Sequence, residues 1–399
     1  MTTHPPQSDS YDVAIAGAGP AGTSAAIHLA QHGVRVLIVE QKRFPRAKLC
    51  GEFISPECLS HFERLGVASQ MSSVGGATLN RTVFYSCSGH SVNVPSEWFG
   101  QEKTALGLSR AEMDHQLLER ARSVGAVVLE GSRVTDLILN RGRVVGIRVK
   151  SDEVVRQCYS HISVDATGQA KALVKRLKPA SKANKGRTRP RLVAFKAHLE
   201  NAGVAEGACE IYSYPGGYGG LSSIEGGLSN FCFIASADDV RRCNSNPMTV
   251  INKTVLKNSR ALRTLRTARP ITDWLSVSLG AFGRQDLVPA EGLLTIGDAA
   301  AFIDPFTGSG MLMALQSGEV AAKTILEHLD SLGDPASFES LTDQYRLRYA
   351  QTFDSRLRIS RFLRHAAYVP RLAEAVILCV GASTVLRRKL ALLTRGASA

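Results

Sequence analysis

Apolar residues near the start of the chain come in blocks. Residues 13–16 (Val-Ala-Ile-Ala) form an unbroken apolar run, as in a strand covered on both faces. A glycine-rich turn follows at 17–22. Residues 23–32 then place small side chains on one side, which predicts a helix with Gly33 at its C-cap. Residues 34–39 form a second apolar strand ending at Glu40.

Further on, residues 56–65 read as a helix stopped by Gly66, and 74–94 alternate apolar and polar positions around Ser88-Gly89, which predicts a hairpin. Ser109-Arg110-Ala111-Glu112 is a capping box opening a helix that buries Met113, Leu117, Leu118, Ala121 and Val124. Gly125 closes it, and 127–129 form a strand. Residues 134–139 and 143–149, split by Asn140-Arg141-Gly142, predict another hairpin. Residues 162–165 and 293–296 read as strands running into the glycine turns Asp165-Ala166-Thr167-Gly168 and Gly297-Asp298. The loop 304–310 leads into a helix from 311 to about 329, and the chain from 341 onward is helical, broken near Pro370.

The expected fold class is α/β: a discontinuous Rossmann-like domain, a mainly antiparallel β-sheet substrate domain and a C-terminal helical segment. The expected boundaries are 1–75, 106–185 and 281–340 for the first, 76–105 and 186–280 for the second, and 341–399 for the third.

Composition narrows the function classes. The eight cysteines show no C-x-x-C pair, so reduced thiols and a cytoplasmic location are expected, and no Cys/His cluster has metal-ligand spacing. The net charge of +13 is concentrated in 171–191, with nine Lys/Arg and no acid, and in the arginine-rich 356–395. Aromatics do not interleave with these charges, so nucleic acid is not an expected partner. Residues 171–191 read as a linker. The apolar stretch 372–386 is too short to span a bilayer. The basic C-terminal helices either cap the nucleotide domain or rest peripherally on a membrane surface.

The candidate chemistry lies in the glycine turns. Gly17-x-Gly19-x-x-Gly22, placed between a strand and a helix, suits a pyrophosphate. The first glycine turns sharply, the second admits close approach, and the third lets helix and strand pack, with the helix N-terminus facing the phosphates. Glu40, about twenty residues on, stands where a carboxylate takes ribose hydroxyls. These residues indicate a dinucleotide and leave NAD and FAD open.

Taken with Arg110, Asp165-Ala166-Thr167-Gly168, and Gly297-Asp298 followed by Asp304-Pro305-x-x-Gly308-x-Gly310, the chain resembles FAD-dependent oxidoreductases of p-hydroxybenzoate-hydroxylase-like fold. Within them it is most similar to the geranylgeranyl reductase family. The resemblance implies FAD, with NAD(P)H as the electron donor. It puts Gly17, Gly19, Pro20, Ala21 and Gly22 at the pyrophosphate, and Glu40 with Gln41 at the adenosine ribose. Val134 would clamp the adenine edge through its backbone, and Arg110 and Asp298 would reach the phosphates and ribityl chain. Pro305, Gly308, Gly310 and Met311 would lie against the isoalloxazine. Lys48, Cys50 and Glu52 match a loop beside the flavin and are the catalytic candidates, each weighed against a packing or ion-pair role.

Tyr218 marks the substrate side. The family's Tyr-Trp-Phe-Pro signature is replaced there by Tyr218-Gly219-Gly220-Leu221-Ser222-Ser223, and the two tryptophans, Trp98 and Trp274, cannot form a halogenase W-x-W-x-I-P. Aromatic hydroxylases of this fold usually carry Asp-Gly where this chain has Asp165-Ala166-Thr167-Gly168, so the resemblance implies C=C reduction of an apolar prenyl or polyketide-like molecule. Hydroxylation of a natural product by an FAD-dependent monooxygenase, or a non-catalytic flavoprotein, are the alternatives.

Overall fold

The structure, a computed structural model, describes residues 8–99, 103–177, 191–332 and 334–394; most of the basic segment, 178–190, lies outside the described residues. A seven-stranded sheet carries the opening motif. Ser8–Ala16 runs parallel to Val36–Val39 on one side and to Val154–Asp165 on the other, with Ala16 opposite both Val39 and Asp165. Val127–Leu129 continues the parallel half beyond Val36–Val39.

The Val154–Asp165 strand is twelve residues long, where the sequence reading recognises only 162–165. Its first half is mostly exposed or half-exposed and mixes apolar with polar residues, so no apolar run announces it. Its far edge is shared between two partners. Arg143–Ser151 pairs antiparallel with residues 154–159, and Leu293–Thr295 pairs parallel with Ser163–Asp165. Gly146 makes this handover feasible, because a Cβ there would lie 2.3 Å from the Cys158 carbonyl oxygen. Three parallel strands therefore end level with one another. Their turns, at Gly17, Ala166-Thr167 and Gly297, emerge side by side at the carboxyl edge, where open α/β sheets bind ligands.

The Pro20–Ala30 and Gly310–Leu326 helices cover one face of this sheet. Their contact is close: a Cβ on Gly318 would sit 2.4 Å from the Ala21 carbonyl oxygen, and Ser24 Oγ donates to the Leu315 carbonyl at 2.8 Å. Core residues from these helices, the Pro56–Leu65 and Arg110–Ser123 helices and the long Pro335–Tyr368 helix pack together beneath the sheet.

A second sheet of eight strands is antiparallel but for one pair. Ala208–Tyr214 pairs antiparallel with Gly217–Ser223 and parallel with Arg81–Tyr85, the first strand of a hairpin whose return strand is Ser91–Pro95. The 74–94 alternation therefore belongs to two sheets. Ala77–Leu79 leaves for a small three-stranded sheet with Phe53–Ile54 and Ala105–Gly107, and only 81–95 forms the expected hairpin.

The end of the chain corrects the sequence reading in three ways. The long helix begins at Pro335, six residues before the expected start. The apolar stretch 372–386 is not one helix, because Ala382 and Ser383 separate Pro370–Gly381 from Thr384–Leu393. These two helices pack mainly on the second sheet, and only their end, at Thr394, reaches the nucleotide domain, at Ser309. Ile377, Val380 and Leu390 pack against Val92 and Phe84 of the second sheet's hairpin. No helix among the described residues is long and apolar enough to cross a membrane.

Candidate functional site

The Gly17–Gly22 turn is as tight as its sequence requires. Gly17 has φ +104°, and a Cβ there would lie 2.5 Å from the Ala166 carbonyl oxygen; one on Gly22 would lie 2.0 Å from the Gly17 carbonyl oxygen. Gly19 differs. A Cβ on it would meet only Arg110 Nη2, at 4.0 Å, so the turn is open on the side facing a cavity of about 620 Å³. Gly19 is also the N-cap of the Pro20–Ala30 helix, with no side chain capping its amides and Pro20 at the first position. The donors left over point to an anion.

Glu40 is buried, and its carboxylate accepts from the backbone amides of Ala18 and Lys42, both at 3.0 Å. The ribose candidate is thus fixed to the glycine turn itself. Gln41 and Val134 lie on the same stretch of cavity wall. Arg110 is 8 % exposed and holds Asp114 in a bidentate pair, Nε to Oδ1 and Nη2 to Oδ2, both at 2.7 Å. Burial works against its cation, and Asp114 more than offsets that, so its pKa is raised. A surface charge at a helix start would have shown neither feature. The i,i+4 spacing of Arg110 and Asp114 was the available sequence signal for this partner.

Asp298 lines the same cavity. Burial pushes its carboxyl up to about 6 despite the Arg110 and Lys48 cations nearby. Lys48 lines this cavity too, and desolvation and the Arg110 and Arg46 charges lower its pKa. A buried carboxyl near two cations suits a ligand bringing hydroxyl donors and phosphates together. With the glycine cradle, this donor set fits FAD.

The 304–310 loop forms the adjoining wall. Asp304 caps it by accepting from the Phe306 amide at 3.0 Å, Pro305 follows, and Gly308 turns it with φ +62°. Ser309 then starts the Gly310–Leu326 helix without a side-chain cap, leaving the Gly310 and Met311 amides at the helix start. A Cβ on Gly310 would meet nothing nearer than Ile303 Cγ2 at 3.9 Å.

The Lys48–Glu52 loop brings a group that sequence reasoning missed. Glu52 is fully buried at φ +51°, bonded to Lys196 Nζ, to His198 Nε2 at 2.7 Å, and to the Arg110 amide at 2.8 Å. Burial disfavours the carboxylate, but the His198 bond and the Lys196 charge outweigh it and lower its pKa. A carboxylate so held anchors the loop and is a poor proton donor at neutral pH. Lys196 and His198 alternate with Phe195 and Ala197 on Leu192–Glu200, a pattern that reads as a solvent face in sequence. Cys50 lies beside this anchor, its carbonyl accepting from Asn230 Nδ2 at 3.1 Å. Burial pushes the thiol of Cys232, another wall residue, up to about 12. All eight cysteines are free, and no group of three metal-ligating side chains occurs among the described residues.

Asp165 has a structural role in its turn. Its two oxygens accept from the Thr167, Leu173 and Val174 amides and from the Thr167 hydroxyl. Tyr218 is buried beside the loop, donating to Asp304 Oδ1 at 2.7 Å, with its ring edge-on to Phe306 and to Tyr368. Beyond it the cavity continues as an apolar arm between Phe84, Val92 and Val94 of the hairpin and Ile377, Val380 and Leu390 of the last helices. Nothing in the glycine motifs indicates this arm, because its far wall lies some three hundred residues away in sequence.

Comparison with known proteins agrees with this geometry. A model of the FAD binding domain matches residues 10–355. The chain is 27% identical over 371 residues to digeranylgeranylglycerophospholipid reductase 2 of Methanopyrus kandleri, spanning 88% of this chain and 86% of that one. It is 27% identical over 335 residues to menaquinone reductase of Mycolicibacterium smegmatis, spanning 78% and 75%. A flavin-dependent brominase of known structure superposes with TM-score 0.81 at 23% identity, covering 97% of this chain and 94% of its own, a likeness of fold. The chain belongs to the FAD binding domain family and is an FAD-dependent oxidoreductase, similar in sequence to reductases of the geranylgeranyl-reductase type.

Proposed function

We propose that this protein reduces C=C bonds in an apolar, chain-like molecule, with NAD(P)H as the source of electrons. The observation that carries this reading is the apolar arm running from the C-terminal helices to the 304–310 loop. When bound, FAD supplies the hydride. The chain does the rest. Gly17, Gly19, Pro20, Ala21 and Gly22 hold the pyrophosphate, Glu40 and Gln41 the ribose, Val134 the adenine edge, and Arg110 and Asp298 the middle of the cofactor.

The Gly310 and Met311 amides, backed by a seventeen-residue helix, favour negative charge at the loop. The apolar walls exclude water from the reacting end. Lys48, whose lowered pKa eases proton release, is the better placed of the catalytic candidates, with Cys50 packed beside it and Glu52 holding the loop in place. The division into a nucleotide domain, a substrate domain and a helical end belongs to the same reading. So does a cytoplasmic protein resting peripherally on a membrane. Phe362, Leu372, Leu378, Val385 and Leu386 are exposed on the outer face of the last helices, interleaved with exposed Arg371, Arg388 and Lys389.

The relatives' names support reduction and supply trial substrates. Under nitrogen, with NADPH or dithionite as reductant, digeranylgeranylglycerophospholipid or menaquinone should gain two hydrogens per double bond by mass spectrometry. The likeness to a brominase favours one second reading, an oxygen-dependent activity. Turnover only in the presence of oxygen would establish that reading and reject the first.

A further inference from the structure

The apolar arm has a charged end that the flavin chemistry does not use. Arg387 lies on its wall, on the Thr384–Leu393 helix, with its guanidinium carbon 5.6 Å from the centre of the Trp98 ring. Its Nη2 donates, among the described residues, to Thr384 Oγ1 alone, at 3.1 Å, and its Nε is buried without an acceptor. Among the described residues no carboxylate stands within ion-pair distance of it. A half-buried guanidinium over an indole, with its Nε buried and unused, is a receptor for a planar or tetrahedral anion.

The opposite end of the same helix fixes the distance. Thr394, its C-cap, accepts through its carbonyl from Ser309 Oγ at 3.3 Å, so the helix ends against the N-cap of the Gly310–Leu326 helix, at the end of the 304–310 loop. Arg387 is seven residues earlier, roughly 10 Å along the axis. Leu390 and Ala391 line the interval from this helix, and Val92, Val380 and Ile377 line it from the facing elements. The walls between are apolar, and both ends are polar.

We propose that Arg387 is the specificity-determining contact for an anionic end group, a phosphate or carboxylate, carried on the substrate's apolar chain. The site selects amphipathic molecules whose charged end stops at Arg387 while the chain extends towards the 304–310 loop. This rests on the reductive reading above for what happens at the loop, but it depends on Arg387 alone for recognition.

The test is calorimetric titration of flavin-loaded protein with dodecyl phosphate, dodecanoate and dodecanol, each below its micelle-forming concentration. The wild-type protein should bind at least one anionic probe about ten-fold or more tighter than the alcohol, as expected for a charge-assisted contact. Arg387→Met, which keeps the apolar stem over Trp98, should abolish that preference and leave dodecanol binding unchanged. Arg387→Lys should restore part of it. Ile377→Trp, which fills the arm, should weaken all three probes. The ranking of phosphate against carboxylate identifies which end group the arm accepts. If Arg387→Met lowers all three probes alike, or leaves the anion preference intact, the inference is wrong. Flavin absorbance of the same samples reports separately on the cofactor reading: protein without FAD would overturn that reading and leave the Arg387 comparison valid.

Discussion

The Tyr218 hydroxyl donates to Asp304 Oδ1 across 2.7 Å, joining a strand of the eight-stranded sheet to the loop that starts the Gly310–Leu326 helix. Tyr368, from the long C-terminal helix, packs its ring edge-on to Tyr218 at 5.8 Å, so three separate parts of the chain converge on one carboxylate. Tyr218→Phe should keep the packing and remove the bond. The expected cost is about 1–2 kcal/mol in unfolding free energy, read by urea denaturation, with a lower kcat and retained FAD content. Loss of flavin in this variant would show that the contact supports the cofactor cradle instead of aligning the loop.

Glu52 anchors the 48–52 loop, and removing its charge should be costly. Glu52→Gln leaves Lys196, which is 2 % exposed, without its counter-ion. A destabilisation of about 3 kcal/mol or more is expected from breaking a buried pair. Lys196→Met combined with Glu52→Gln should recover part of that loss in the same denaturation assay. An additive double variant would mean the two side chains are not coupled.

Gly22→Ala places a methyl group 2.0 Å from the Gly17 carbonyl oxygen. The turn must open, and its amides lose their common direction. Flavin retained after purification should fall by about ten-fold or more, the size of a few lost charge-assisted bonds. Far-ultraviolet circular dichroism should stay close to wild type.

Asp298 should make the stability of the flavin-free protein pH-dependent. Its folded pKa is raised from 3.8 to about 6, so the unfolded chain releases this proton first as pH rises. The contribution of the neutral acid is fully present below about pH 4, is lost progressively up to about 6, and is constant beyond. Thermal midpoints of flavin-free Asp298→Asn and wild type should diverge in favour of the variant across that window and stay a fixed distance apart above it. Bound FAD should shrink the difference by giving the carboxylate hydroxyl donors.

Ile377→Trp fills the arm without touching the glycine turns. FAD content and its bleaching by dithionite should be unchanged, while kcat/KM for a long apolar substrate should fall by about ten-fold or more. Equal loss for short and long substrates would place the reacting molecule outside the arm.

Much of the nucleotide half was legible because its signals are local. A strand, a glycine turn and a helix in direct succession constrain one another within thirty residues. Gly17 and Gly22 could hardly be read otherwise, since a side chain at either would strike backbone. The same applies to the Ser109 cap, whose hydroxyl does accept from the Glu112 amide. Reading failed where a residue's role depends on what another segment brings. Lys196 and His198 look like the polar face of a strand until the Glu52 loop folds over them. The half-exposed start of Val154–Asp165 becomes a strand only because Ser8–Ala16 and Arg143–Ser151 flank it.

The sequence by itself determined that a dinucleotide cradle opens the chain, and the later glycine landmarks, through their family resemblance, identified the dinucleotide as FAD. Backbone sterics at a few glycines allow little else. Only the tertiary structure decided that the final helices line the apolar arm of the cavity, with Arg387 on its wall and Thr394 against Ser309. The helical pattern marks an apolar face and cannot say which surface covers it, because burial against a distant hairpin, a neighbouring domain or a membrane all select the same residues.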